Sequence, residues 1–251
     1  MSARQLSFAA VVMAAAVIAS GACAQTAARP DLTGSWERYR GPAGDPANPP
    51  PEAAAPPLKG DLLGEWEARR AAAREADARG EPAASNVTHC IPDGVPSMMN
   101  GPFPFEILQG ATQINIAQEA YSQIRRIYLD KPQLTLDDIE LGFYGRSVGK
   151  WQGDTLVVDT IGIKEYVRFR DVPHTPDMRV TERFRLVTPD ILWDEITITD
   201  PAVLDKPWTV TFAYRRMPDY EIIEYVCEDN REYADEDGVT RLRVGPAAEA
   251  P

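Results

Sequence analysis

The chain has 251 residues and a formal net charge of −12, with 38 acidic against 26 basic side chains. A surface this negative repels nucleic acid and anionic lipid, and no basic stripe offsets it. Hydrophobic residues make up 44% of the chain, enough for one good core, and barrels often run to this length as a single domain.

At the N-terminus Arg4 is followed by an uncharged apolar run over 6–18 and by small residues ending Ala22-Cys23-Ala24. The pattern predicts a secretory signal over 1–24, with Gln25 opening a periplasmic or secreted mature chain. The run is shorter than the roughly 20 residues a spanning helix needs, so no membrane insertion is expected after signal removal. Cys23 follows Ser20-Gly-Ala22, and a lipid anchor at that cysteine is the alternative processing. Either route leaves Cys90 and Cys227 in an oxidising compartment, and an even remainder of one pair predicts a disulfide.

Within 31–39, Leu32, Gly34, Trp36 and Arg38 alternate with Thr33, Ser35, Glu37 and Tyr39, the period of a first strand. Residues 41–58 then hold seven prolines with alanine and glycine, a composition that forms neither ladder nor helix and favours an extended linker. Strong helix formers fill 61–79, with Glu65 and Arg69 at i,i+4 spacing and Leu62, Leu63 and Trp66 as the apolar anchor. This N-terminal region, 25–88, precedes a domain expected over 89–233 and a flexible tail over 234–251.

Nine strand patterns follow, at 103–109, 113–119, 123–129, 145–151, 155–161, 178–187, 192–199, 208–216 and 221–227. Gly153-Asp154 sits between two β-branched runs and predicts a hairpin. So many short strands with a single helix predict an all-β fold, an antiparallel meander closed into a barrel of about eight to nine strands. Closure removes the edge strands; a two-sheet sandwich fits the same pattern.

Splitting each strand into two faces exposes an anomaly. Met178, Val180, Glu182, Phe184 and Leu186 share one face, and Leu192, Asp194, Ile196 and Ile198 share the next strand's equivalent, so each apolar face carries one carboxylate. A carboxylate in an apolar interior must be paired or hold its proton. Arg126, on the face Ile124, Arg126, Tyr128, is the expected cationic partner. His174 lies in a loop just before the strand of Glu182, where a histidine can move protons; His89 neighbours Cys90 and is not assigned a role. Phe184, Trp208, Phe212 and Tyr214, with Tyr128 and Trp151, are the expected ligand-binding wall.

Two distant histidines and unspaced carboxylates give no metal signature, and the acidic run Asp235-Glu-Asp-Gly238 lacks the alternating ligands of a calcium loop. No nucleophile elbow, phosphate loop or dinucleotide fingerprint occurs, so no cofactor is expected.

Several motifs in order, Asp31-Leu-Thr-Gly-Ser-Trp36, Phe103-Pro-Phe-Glu-Ile107, Arg125-Arg-Ile-Tyr128, Pro173-His-Thr175, Thr181-Glu-Arg-Phe184, Lys206-Pro-Trp208 and Glu224-Tyr-Val-Cys-Glu228, resemble those of a family of exported bacterial lipocalin-like β-barrel proteins. The resemblance covers roughly 88–232. It implies a calycin-type barrel and no activity. A histidine commonly stands in that family where this chain has Arg146, so any role of that histidine does not carry over. Gly34-Ser-Trp36 is similar to the Gly-x-Trp of lipocalin first strands.

Two functions fit these observations. One is an exported barrel binding a small apolar or aromatic molecule in its interior. The other is a cofactor-independent lyase, isomerase or hydrolase in the same cavity, with Glu182 and His174 exchanging protons, Asp194 beside them and Arg126 stabilising negative charge.

Overall fold

In a computed structural model, residues 29–52, 55–81, 90–227, 232–234 and 240–242 are described. The expected signal, Cys23, His89, the acidic run at 235–238 and most of the expected tail lie outside them.

Nine strands close into a barrel in chain order: β1 (Gly34–Arg38), β2 (Phe105–Gln109), β3 (Gln113–Gln118), β4 (Gln123–Leu129), β5 (Arg146–Gln152), β6 (Thr155–Ile161), β7 (Arg179–Thr188), β8 (Ile191–Thr199) and β9 (Trp208–Met217). A small hairpin of β10 (Glu232–Ala234) and β11 (Thr240–Leu242) stands apart from this sheet.

Strand number dictates one feature of the topology. Directions around a closed ring cannot alternate everywhere when the count is odd, so a nine-stranded barrel needs a parallel neighbour pair. That pair is β4 with β5; all other neighbours, including β1 with β9, are antiparallel. The meander is therefore mixed where a purely antiparallel one was expected. The chain from 130 to 145 makes the return, bridging beside β6 through Gly142 and Ile163. The parallel ladder has only three register pairs, Ile127 with Ser147 to Leu129 with Gly149. It is also tight, because a Cβ on Gly149 would lie 2.8 Å from Cγ2 of Ile127.

Elsewhere, β5 and β6 meet at the Gly153 turn, where a φ of 63° suits a residue without a Cβ. The expected strand at 221–227 does not form. β1 occupies the edge of β9 that it would have needed, so its β-branched alternation has no ladder to join. Instead the segment crosses the surface. Ser35 Oγ donates to the Tyr220 carbonyl, Ser122 Oγ donates to that of Tyr225, and the Tyr225 ring meets Phe103 edge-on. The first strand of the N-terminal region is thus part of the barrel itself.

The core is the barrel lumen, filled by Trp36, Phe105, Ile107, Ile114, Ile116, Phe184, Phe212 and Tyr214, each at most 2% exposed. The one α-helix among the described residues, α1 (Leu62–Ala78), packs by Trp66, whose indole donates 2.9 Å to the carbonyl of Arg170. The proline-rich stretch lies along the outside, with the Trp193 indole donating to the carbonyl of Ala47.

Cys90 and Cys227 form a disulfide across a sequence separation of 137. Constraint of an unfolded loop this long is worth about 5 kcal/mol in the chain-entropy model, a mechanism that is model-dependent. Cys90→Ser with Cys227→Ser should lower the unfolding free energy in guanidinium by about 3–5 kcal/mol; an unchanged midpoint would show that the bridge carries no stability.

Candidate functional site

β7 and β8 send the two acids inward, as their alternation requires. Glu182 and Asp194 are both 0% exposed. Glu182 faces Ile196 across the ladder and Phe184 faces Asp194, which makes the carboxylates diagonal neighbours on the interior face.

Their environments differ. Arg125 of β4 grips Glu182 with both ends of its guanidinium, Nη1 donating to Oε1 at 2.7 Å and Nη2 to Oε2. The same guanidinium donates from Nε to Ser147 Oγ at 3.2 Å and from Nη2 to Thr160 Oγ1 at 3.0 Å, while the two hydroxyls share a 2.8 Å bond. One buried cation thus laces four consecutive strands, β4 through β7.

The expected partner, Arg126, is on the outside. β4 carries apolar residues at both parities, Ile124 and Tyr128 against Ile127 and Leu129, and choosing the wrong phase by one residue flips every side chain to the other face. Ile124 is 47% exposed, whereas Arg125 is 0% exposed. Tyr128 likewise leaves the expected wall, with the Arg146 guanidinium 5.1 Å from its ring centre.

Asp194 has no hydrogen-bond partner for either oxygen among the described residues. Burial first, and then the charge of Glu182, push its carboxyl well above the usual carboxylate range, against the pull of Arg125 and Arg38. Burial thus favours its protonated form inside the barrel.

Arg38, the last residue of β1, completes the constellation. Its guanidinium carbon lies 3.7 Å from the centre of the Phe212 ring and 5.6 Å from that of Tyr214, and its Nε and Nη1 are buried without a partner. Burial holds it below the ordinary arginine value, yet an arginine stays charged. Phe212 is also the cross-strand partner of Asp194, so this cation, which also meets the Tyr214 side chain, and the unpartnered acid flank one ring. The Tyr214 hydroxyl donates 2.6 Å to the carbonyl of Met99.

Register opens a door beside Arg38. β1 pairs with β2 only from Gly34 to Trp36, while its other edge follows β9 as far as Arg38. Where β1 and β2 part, a cavity of about 460 Å³ opens, lined by Glu37, Arg38, Tyr39, Arg40, Asn100, Gly101, Pro102 and Arg215. Arg38 was readable in the first-strand alternation, since it shares a parity with Trp36. Arg125 was hidden by the ambiguous phase of β4.

His174 does not meet Glu182 through any hydrogen bond. The residue is 7% exposed, and its two ring nitrogens face the backbone carbonyls of Thr175 and Val167, each at 2.9 Å. It fastens its loop. Phe184, Trp208, Phe212 and Tyr214 line the lumen as expected, but as mutually packed core, and Trp151 is half-buried against it. Among the described residues no group of three or more histidine, cysteine, aspartate or glutamate side chains could hold a metal ion.

In comparisons with known proteins, no family model and no curated protein matches the chain.

Two predictions follow from the split between the acids. Glu182→Gln strands the Arg125 charge and should cost about 3–5 kcal/mol, whereas Arg125→Met with Glu182→Leu should be near neutral or stabilising; equal losses in urea titrations would contradict a paired role. Asp194 is raised in the folded state, so between about pH 4 and its folded value the native protein binds the extra proton and stability falls as pH rises. Asp194→Asn has no proton to lose. Its stability relative to the parent should grow by up to about 1.4 kcal/mol per pH unit in that window, and a constant difference from pH 4 to 8 would show an ordinary aspartate.

Proposed function

We propose that this is an exported barrel that binds a small organic molecule with an apolar or aromatic body, seated in the opening between β1 and β2 rather than deep in the lumen. The observation that carries the reading is Arg38, whose Nε and Nη1 have no acceptor although they are buried beside a cavity of about 460 Å³. Unmet donors of this kind cost stability, by about 1–3 kcal/mol each, and a cavity of this size lies within the range of small-molecule sites.

Packing argues against the lumen as the ligand chamber. Its cross-section is taken by large buried side chains, Trp36, Phe105, Phe184, Phe212 and Tyr214 among them. The guanidinium rests on Phe212 by a cation–π contact of about 0.5–2 kcal/mol, weaker than two charge-assisted hydrogen bonds at about 1.5–3 kcal/mol each. A ligand offering two acceptors would therefore draw Arg38 off the ring. Export is supported by the disulfide, and among the described residues no helix is long and apolar enough to cross a membrane.

The enzymatic alternative rests on Asp194, whose carboxyl is pushed well above the usual carboxylate range by burial. His174 contributes nothing to it, because carbonyl groups occupy both ring nitrogens. Product analysis after binding separates the two readings.

Thermal shift against a library of aromatic and alicyclic compounds tests the reading. A ligand at 100 times its Kd should stabilise the protein by about 2.7 kcal/mol, and Arg38→Met should remove that gain while folding normally. A ligand whose stabilisation survives Arg38→Met would place its site elsewhere.

A further inference from the structure

The connection between β6 and β7 covers one end of the lumen. Phe169 is 3% exposed, and its ring centre lies 5.3 Å from that of Trp208 and 6.2 Å from that of Phe212. The Arg170 guanidinium sits over the same Phe212 ring, 5.5 Å from its centre. The turn over 167–175 thus caps two aromatic residues of β9, one of which is the ring that Arg38 rests on.

This turn is held in a strained shape. Arg170 and Asp171 both have a positive φ, 53° and 63°, and neither is glycine. Two such residues in a row persist only where surrounding contacts over-determine them. Those contacts come from outside the sheet. Arg170 pairs with Glu52 and reaches Asn100 Oδ1 at 3.4 Å, and its carbonyl accepts the Trp66 indole. Asp171 lies 3.9 Å from Arg70, and Ser97 Oγ donates to the Arg168 carbonyl at 3.2 Å. All of these partners stand between β1 and β2 in the chain. Ion pairs that keep contact with water hold weakly, so this latch can open.

The base of the turn carries a different fastening. Nε2 of His174 faces the Val167 carbonyl and Nδ1 that of Thr175, each at 2.9 Å. A neutral imidazole has one N–H, so it donates to one of these oxygens and turns a lone pair on the other, whereas the imidazolium donates to both. Charge-assisted hydrogen bonds are about twice as strong as neutral ones. Protonation therefore adds a second donor and strengthens the first. Histidine is also the side chain that ordinarily changes charge between about pH 5 and 8.

We infer that residues 167–175 form a lid over the Trp208 and Phe212 end of the lumen, clasped shut when His174 is an imidazolium and loosened when it is neutral. The lid is tight in acid and opens as pH rises. Opening withdraws Phe169 and Arg170 and bares Trp208, Phe212 and the Arg38 guanidinium. This motion is independent of the binding reading above, since it needs no ligand.

The charges that face the clasp are few. Asp200, from the turn between β8 and β9, lines a small cavity together with His174 and Phe169. Its carboxylate accepts from the Thr175 amide at 2.7 Å and the Ala202 amide at 3.1 Å, which fixes the foot of the lid next to His174. On the lid itself Arg170 and Asp171 face Glu52 and Arg70, while Arg168 is exposed, as is Asp177 just beyond. Behind Phe212 stands Asp194, whose raised carboxyl is a second proton-binding group.

Solvent exchange of the Trp66 indole proton reads the lid, because that N–H is donated to Arg170. Nitrogen-15 NMR of the mature protein measures it, with a free indole correcting for the intrinsic effect of pH. From about pH 5.5 to about pH 7.5 the protection should fall by about threefold or more, the effect of roughly one lost hydrogen bond. His174→Gln has no charge to lose and should show equal protection at both values. Asp194→Asn should keep the fall, and Glu52→Gln should lower protection at both values and keep the fall as well. The imidazole nitrogen-15 shifts of His174 should show two protonated nitrogens wherever protection is high. Protection that does not change in the parent protein overturns the lid, as does a neutral His174 ring under high protection. A fall that survives His174→Gln, or one that vanishes in Asp194→Asn, puts the sensor at another group and overturns it equally.

Discussion

The grip of Arg125 on Glu182 is the constraint on which the rest of the interior depends. Nine strands impose one parallel junction, and it falls between β4 and β5, where the ladder has three register pairs. Arg125 crosses that junction through Ser147 and continues through Thr160 to Glu182. The buried ion pair therefore spans a seam of only three register pairs, a shortness shared by the β1–β2 ladder. A buried ion pair of this kind gives little net stability over an apolar pair. Its worth here lies in register, since slipping β4 by one residue would put Arg126 inside and leave Glu182 without its fork.

Satisfying Glu182 leaves Asp194 unpartnered. Two carboxyl groups on adjacent strands, both fully buried, thereby meet the same desolvation cost differently: one is paired with a cation, while burial of the other favours its protonated form. Asp194, the Phe212 ring and the guanidinium of Arg38, which has no carboxylate partner among the described residues, form a second group. Because β1 leaves β2 after Trp36, this group stands next to the 460 Å³ opening. Strand pairing, not loop length, makes the opening, and the side chains that could respond to a ligand sit on rigid strands.

Much of this was legible from residues alone. The alternation in β7, β8 and β9 is clean, with arginines and threonines facing out and aliphatic or aromatic residues facing in, so Glu182 and Asp194 could be placed inside before any coordinates. β4 failed because apolar residues occupy both of its faces, and only the burial of Arg125 resolves its phase. The segment at 221–227 carries a strand's composition, but strand formation needs a free edge, and β1 had taken it. Nor could the sequence show the parallel pair, which follows from the number of strands that close the ring rather than from any local pattern. His174 was read as a loop histidine placed to move protons, and its carbonyl partners are contacts that no spacing rule reveals.

The central claim is that the two interior acids are unequal, with Asp194 holding a proton beside Arg38. Carboxyl carbon-13 NMR of aspartate-labelled protein, assigned by comparison with Asp194→Asn, tests it most directly. The Asp194 signal should remain at its protonated position at about pH 6, well past the value near 3.9 at which an ordinary aspartate ionises. An Asp194 signal that titrates near pH 4 would contradict the account, because the barrel would then hold two buried carboxylates and Arg38 would be the counter-ion of one of them.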